Sequence, residues 1–318
     1  MNLYDFIVKN RENYENILKS NSHALIIESK DEIFLDVFAK YFVLNLFCKN
    51  ETPCFTCGDC LKVLNNNSLD MFIYDKPIMV DNAKEIIDNL YVVPAENEYK
   101  VFIIKNFDKV SERVQNKLLK SIEEPPKFVK FILLTSNIES ILPTVRSRCE
   151  KYELPLLTKQ QISELIESDN EKLKVCAIEN SNNSYGQAKE YLENKDFMNV
   201  FSLVFDMFKN MMKSSDSLKY FSKINKYKDN FSMFIKLLEK VMFDVLKFNS
   251  GDKNLIDNQS HLSEIKQIAF SYSSLACVKI LDYIDGINEN LQFNANFNLQ
   301  IDTLLLYILE VKFKCKKW

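Results

Sequence analysis

The first half of the chain repeats one pattern: a short apolar run rich in β-branched residues, followed by a stretch with helical periodicity. The runs fall at residues 24–28, 71–75, 101–105 and 131–135. Such alternation predicts parallel strands joined by crossover helices, because each strand must be covered by the helix that returns the chain to the same edge. One crossover helix is expected at about 33–47. Another is expected at 111–124, where Ser111 stands at the N-cap, Val114, Leu118 and Ile122 share one face, and Pro125 and Pro126 stop it.

After a weak strand-like run at 151–154 the pattern becomes helical throughout. Thr158 and Gln161 have the spacing of a capping box, which opens a series of short helices reaching about Asn194. From Phe197 onward long amphipathic segments, such as 198–212 and 231–248, follow one another without a strand signal. The expected fold class is an α/β domain with a parallel sheet, then a small helical bundle, then a larger all-α domain. The expected boundaries are 1–155, 156–196 and 197–318.

Only four glycines occur in 318 residues: Gly58, Gly186, Gly251 and Gly286. No two have the spacing of a phosphate-binding loop, which needs glycines so that backbone N–H groups can close on phosphate oxygens. Net charge is −3, so no global basic field advertises nucleic acid. No stretch approaches the ~18 apolar residues of a membrane span, and the first twenty residues lack the apolar core of a signal peptide. A cytoplasmic protein is expected.

Of 41 basic residues only four are Arg: Arg11, Arg113, Arg146 and Arg148. Two of these lie two positions apart in a chain that otherwise uses Lys, which suggests that the planar guanidinium fork matters there. Eight cysteines occur, and Cys54, Cys57 and Cys60 fall within seven residues, six positions after Cys48. In a reducing compartment this cluster reads as four thiolates around a structural Zn2+, with Gly58 easing the tight turn. Four free or redox-active cysteines are the alternative. A zinc deaminase is excluded, because neither His23 nor His261 is followed two residues later by the Glu that such chemistry requires.

Several motifs stand in a fixed order. They are His23-Ala24-Leu25-Ile26-Ile27, the cysteine cluster after the first crossover helix, Lys100-Val-Phe-Ile-Ile104 and Leu118-Leu-Lys-Ser-Ile-Glu-Glu-Pro-Pro126. Phe131-Ile-Leu133, Ile141-Leu-Pro-Thr144 and Ser147-Arg148-Cys149 follow. On these residues the chain resembles the delta-prime subunits of bacterial DNA polymerase III, clamp-loader proteins of the AAA+ class. The likeness runs through most of 1–194. It implies a RecA-like AAA+ domain with the cysteine module inserted at 48–60, a helical lid and, by position alone, a helical collar for oligomerisation. It implies Zn2+ on Cys48, Cys54, Cys57 and Cys60, although the gap between Cys48 and Cys54 is shorter than relatives generally have.

Three departures from nucleotide-binding relatives coincide. Ser29 to Asp36, including Glu32, Phe34 and Leu35, stand where those relatives carry Gly-x-x-x-x-Gly-Lys-Thr. Lys105-Asn106 replace the metal-supporting Asp-Glu, and Gly186 replaces a nucleotide-sensing Arg. The resemblance thus implies a subunit that binds no ATP and does not hydrolyse it. Its Arg148 would reach in trans into the ATP site of a neighbouring tau/gamma subunit; Arg146 has no assigned role. The implied partners are tau/gamma ATPase subunits and a delta subunit, with the sliding clamp and primed DNA met through the complex and no membrane. Two alternatives remain: a divergent tau/gamma-like ATPase, and a zinc-dependent nucleic-acid-binding scaffold. His23, at a strand entrance, is expected to pack or hydrogen-bond rather than catalyse.

Overall fold

The computed structural model describes residues 1–292 and 297–315. Two short helices, α1 (Leu3–Lys9) and α2 (Glu15–Leu18), lead into β1 (Ala24–Glu28) and the long helix α3 (Glu32–Phe47). Then come α4 (Gly58–Leu64), β2 (Met71–Tyr74), α5 (Val80–Leu90), β3 (Lys100–Ile104), α6 (Glu112–Glu123), β4 (Val129–Thr135), α7 (Pro143–Arg146) and β5 (Glu150–Glu153). The five strands form one sheet in the order β2-β3-β4-β1-β5, with every pairing parallel.

The sequence runs follow from burial. Strands β3 and β4 are buried along their whole length and β1 nearly so, as expected where helices cover both faces of a parallel sheet, so these strands read as continuous apolar runs. β5 is an edge strand with mostly exposed residues, which is why its Glu-Lys-Tyr-Glu run was a weak signal. Register places Phe72 beside Phe102 and Phe102 beside Phe131, and the rings stack with centroids 5.1 and 5.5 Å apart. This ladder welds three strands, since neighbouring aromatics on one face are the unit of sheet stabilisation.

Both expected N-caps are in place, Thr158 and Ser111, but only one uses its side chain. Thr158 Oγ1 accepts from Gln161 N at 3.2 Å while Thr158 N donates to Gln161 Oε1 at 2.8 Å, a complete capping box that opens α8 (Lys159–Leu165). The Ser111 side chain makes no capping bond; instead its backbone carbonyl accepts from Val114 and Gln115.

The chain divides into two compact units, Met1–Ile166 with Asn183–Gly186, and Glu167–Asn182 with Gln187–Trp318. The stretch 156–196 is therefore shared between the two. The second unit contains α9 (Glu171–Asn180), most of α10 (Tyr185–Glu193), α11 (Phe197–Asn210), α12 (Ser214–Asn225), α13 (Phe231–Ser250), α14 (Leu262–Ser271), α15 (Ser274–Gln292) and α16 (Phe297–Lys314). Its core is lined by Phe197, Phe201, Phe205 and Phe208 of α11 and by Leu237, Leu238 and Val241 of α13. No described helix is long and apolar enough to cross a membrane.

Candidate functional site

In doubly wound α/β folds ligands gather beyond the carboxyl ends of the strands, and phosphate sits at the amino terminus of the following helix. Here only Ser29, Lys30 and Asp31 separate β1 from α3. A phosphate loop needs a wider turn. Phe34, Leu35 and Asp36 accordingly lie inside the first turns of α3, with Phe34 and Leu35 buried and Glu32 exposed. Ser29 is buried; its N–H donates to the Thr135 carbonyl at 3.0 Å, and its Oγ accepts from Asp31 N at 3.2 Å. Asp31 is the N-cap, with Oδ1 accepting from Phe34 N at 3.1 Å.

At the end of β3, Lys105 points its ammonium between two carboxylates, 2.6 Å from Asp36 Oδ2 and 2.6 Å from Asp75 Oδ1. Burial alone would depress its pKa, but the paired carboxylates outweigh that and raise it, so the charge is firmly held. The cleft lined by Glu32, Leu35, Asp36, Lys105, Asn106 and Thr135 encloses about 40 Å³. Pockets that take drug-sized ligands run to about 300–1,000 Å³.

Cys48 caps the end of α3, Cys54 lies in the connecting segment, Cys57 is the N-cap of α4 and Cys60 sits in its first turn. Their sulfurs all lie within 4.8 Å of one another, with Cys48 to Cys54 at 3.8 Å and Cys54 to Cys60 at 4.0 Å. A tetrahedron with Zn–S bonds of about 2.3 Å has edges of about 3.8 Å, so the donor set fits a metal such as zinc. Backbone N–H groups point at the sulfurs, Cys57 N at Cys54 Sγ (3.3 Å) and Cys60 N at Cys57 Sγ (3.5 Å). Hydrogen bonds from the Thr56 and Cys57 backbones lower the Cys54 thiol to about 6, while burial raises Cys60. Arg11 braces the module: its Nη2 donates to Asn45 Oδ1 at 2.7 Å and to the Glu51 carbonyl at 3.1 Å, and Nη1 to Tyr41 Oη at 3.2 Å. Cys48 directly follows the last turn of α3.

Arg146 and Arg148 flank the end of α7. Arg146 Nη1 pairs with Glu139 Oε2 at 2.7 Å. Arg148 Nη1 donates to the Thr144 carbonyl at 2.9 Å and Nη2 to Glu123 Oε1 at 3.2 Å; Nε lies 2.8 Å from Glu123 Oε2, too bent for a hydrogen bond but close enough for ionic attraction. Cys149 is buried, and desolvation pushes its thiol up to about 12. Neither His23 nor His261 takes part in a metal-binding group among the described residues.

Sequence reasoning singled out Arg148 but missed its partner Glu123, and it missed Asp31. Asp31 carries a local signal, an Asp directly before a helical run. Glu123 has none, since its pairing depends on how α6 and α7 meet.

Residues 9–158 match the protein-family model described as DNA polymerase III, delta subunit. The chain is 26% identical to DNA polymerase III subunit gamma of Buchnera aphidicola subsp. Schizaphis graminum, over 91% of this chain and 89% of that protein. It is 24% identical to DNA polymerase III subunit delta' of Buchnera aphidicola subsp. Baizongia pistaciae, over 92% of this chain and 96% of that one. A DNA polymerase III gamma-subunit-related protein from Thermotoga maritima has a similar fold, with TM-score 0.50 and 17% identity over 95% of this chain and 99% of its own. These similarities agree with the expected fold class, a RecA-like α/β domain followed by an all-α region.

Proposed function

We propose that this chain is a delta-prime-type subunit of a DNA polymerase III clamp loader, that it neither binds nor hydrolyses ATP, and that it instead completes the ATP site of a neighbouring subunit, a reading supported by the family match over 9–158 and by the delta' relatives. The observation that carries this reading is the Lys105 ammonium at the end of β3, held between Asp36 and Asp75. In phosphate-loop enzymes that region holds Mg2+, on a Ser or Thr of the loop and an Asp of the strand. A fixed cation there opposes a divalent ion, and the position of the phosphate-binding lysine is taken by the buried Leu35.

Arg148 supplies the positive function. A guanidinium delivered in trans stabilises charge developing on a transferring phosphoryl group, and such fingers are worth about 10³–10⁵ in rate. The partners are then tau/gamma ATPase subunits and a delta subunit, with 197–318 as the collar that joins them and 156–196 as the lid. The assembly places a sliding clamp on primed DNA in the cytoplasm. Cys48, Cys54, Cys57 and Cys60 hold a structural zinc ion; when bound, it would tie the end of α3 to α4 without entering the chemistry.

A second reading has one observation in its favour: the gamma-subunit relative matches as much of the chain as the delta' relative does. On that reading the chain is a divergent ATPase. Binding of labelled ATP to the purified chain separates the two. Magnesium-dependent binding at micromolar nucleotide supports the ATPase, and no binding supports the accessory subunit.

A further inference from the structure

The amino terminus of a helix presents unpaired N–H groups and the positive end of its dipole, so it attracts negative charge. The helix after β1 is where an α/β fold of this kind holds phosphate. In this chain the negative charge that meets α3 is its own. Asp31 is only 1% exposed. Besides capping Phe34 N, its carboxylate accepts from Tyr185 N at 2.6 Å through Oδ2, and Gly186 N lies 3.3 Å from each of its oxygens. A buried carboxylate is costly unless hydrogen-bonded, and here three backbone donors from two distant segments satisfy it.

A second observation is steric and independent of charge. A Cβ at position 186 would stand 3.0 Å from Asp31 Oδ1 and 3.1 to 3.2 Å from the Ile33 side chain. Position 186 is therefore glycine because the 183–186 turn lies directly on the start of α3. The neighbouring Asn183 has φ 62, so the chain spends a left-handed residue to make this turn. Two features that look unrelated in the sequence, the shortened turn at 29–31 and the glycine at 186, are the two sides of one contact.

We propose that the Asp31 carboxylate is a built-in substitute for a bound phosphate, joining the amino terminus of α3 to the backbone of Tyr185 and Gly186 permanently. A join made by a nucleotide forms and breaks with the ligand, whereas one made by a side chain is always present. The proposal rests on the reading that this chain takes no nucleotide. It adds that the 183–186 turn holds one position whatever the ATP concentration.

Amide hydrogen exchange on the full chain tests it, with fragmentation fine enough to report Phe34, Tyr185 and Gly186. In Asp31→Ala these amides should exchange at least tenfold faster, while those of β4 keep their protection; unchanged exchange at Tyr185 and Gly186 overturns the proposal. If Asp31→Ala loses protection throughout the sheet, Gly186→Ala decides. That variant keeps the carboxylate and pries the contact apart, so faster exchange at Phe34 and Tyr185 supports the join and unchanged exchange rules it out. Wild type should show no change on adding MgATP. Protection gained there with MgATP would remove the non-nucleotide reading itself, whereas indifference to MgATP combined with an unaffected Asp31→Ala removes only the role given to Asp31.

Discussion

Arg148 and Glu123 meet through two points of contact: Arg148 Nη2 donates to Glu123 Oε1 at 3.2 Å while Nε sits 2.8 Å from Oε2. Glu123 is the last residue of α6, and Arg148 follows α7, so the pair ties the ends of two helices together. With Nη1 committed to the Thr144 carbonyl, Nη2 retains a second N–H. Glu123 thus orients the guanidinium while leaving one N–H of Nη2 uncommitted.

Arg148→Ala in a complex reconstituted with tau/gamma ATPase subunits should cut DNA-stimulated hydrolysis at the adjoining site by about 10³ or more. Arg148→Lys should rescue little, because an ammonium cannot reproduce the planar fork. Steady-state hydrolysis by complexes confirmed to be fully assembled makes the comparison, and wild-type rates for Arg148→Ala would remove the finger.

Glu123→Ala should lower the same rate by roughly tenfold, a positioning effect smaller than loss of the charge itself. The hydrogen bond from Arg148 is the main reason the Glu123 carboxyl titrates below its usual range, and the group is exposed, so the melting temperature of the chain should hardly move. In an Arg148→Ala background the Glu123 substitution should do nothing more. An equal further drop there would mean that Glu123 acts by another route.

The purified chain should contain one zinc ion, and Cys57→Ser should contain much less, as read by elemental analysis. Metal binding displaces thiol protons, so occupancy should fall as pH drops below neutrality. Chelation should expose the 48–60 segment to proteolysis while the sheet stays protected. A metal-free wild-type protein with full resistance to protease would end the zinc assignment.

Asp70 is fully buried, and its carboxylate accepts from the backbone N–H groups of Ala95, Glu96 and Asn97 at 2.6 to 2.9 Å. Burial alone would raise its pKa, but these donors outweigh it and lower the value. A pKa depressed by folding contributes stability that is complete above the unfolded value, about 3.9, and is lost as pH falls through the folded one. Wild type should therefore lose stability below about pH 4 more steeply than Asp70→Asn. At pH 7 Asp70→Ala should cost about 2 kcal/mol, from the donors it leaves unpaired. Denaturant titrations across pH would show this, and parallel profiles would contradict it.

Gly251 closes α13 with φ 91, where Gly251 N donates to the Phe248 carbonyl and Asp252 N to the Lys247 carbonyl. A side chain at that φ is strained, although no neighbour would touch it. Gly251→Ala should cost about 1 kcal/mol in chemical denaturation, while leaving zinc content unchanged.

The strands were readable because burial on both faces leaves an unbroken apolar run, as in Ile103 and Ile104 or Leu133 and Leu134. The cysteine cluster was readable because three of its four thiols fall within seven residues. β5 was faint because an edge strand carries polar residues, and Ser111 takes the N-cap position expected of it without a side-chain cap, because a serine before a helix still has to choose a rotamer.

The sequence by itself determined which runs form the buried strands and the longer helices, that no glycine-rich phosphate loop exists, and which arginines and cysteines are candidates for chemistry. These properties depend on residue type and short spacing, and local stereochemistry is enough to express them. Only the tertiary structure decided that Glu123 holds Arg148, that Lys105 lies between Asp36 and Asp75, and that Asp31 meets Gly186. Such pairings join residues far apart in the chain, and which side chains meet is set by strand order and helix packing rather than by any periodicity along the sequence.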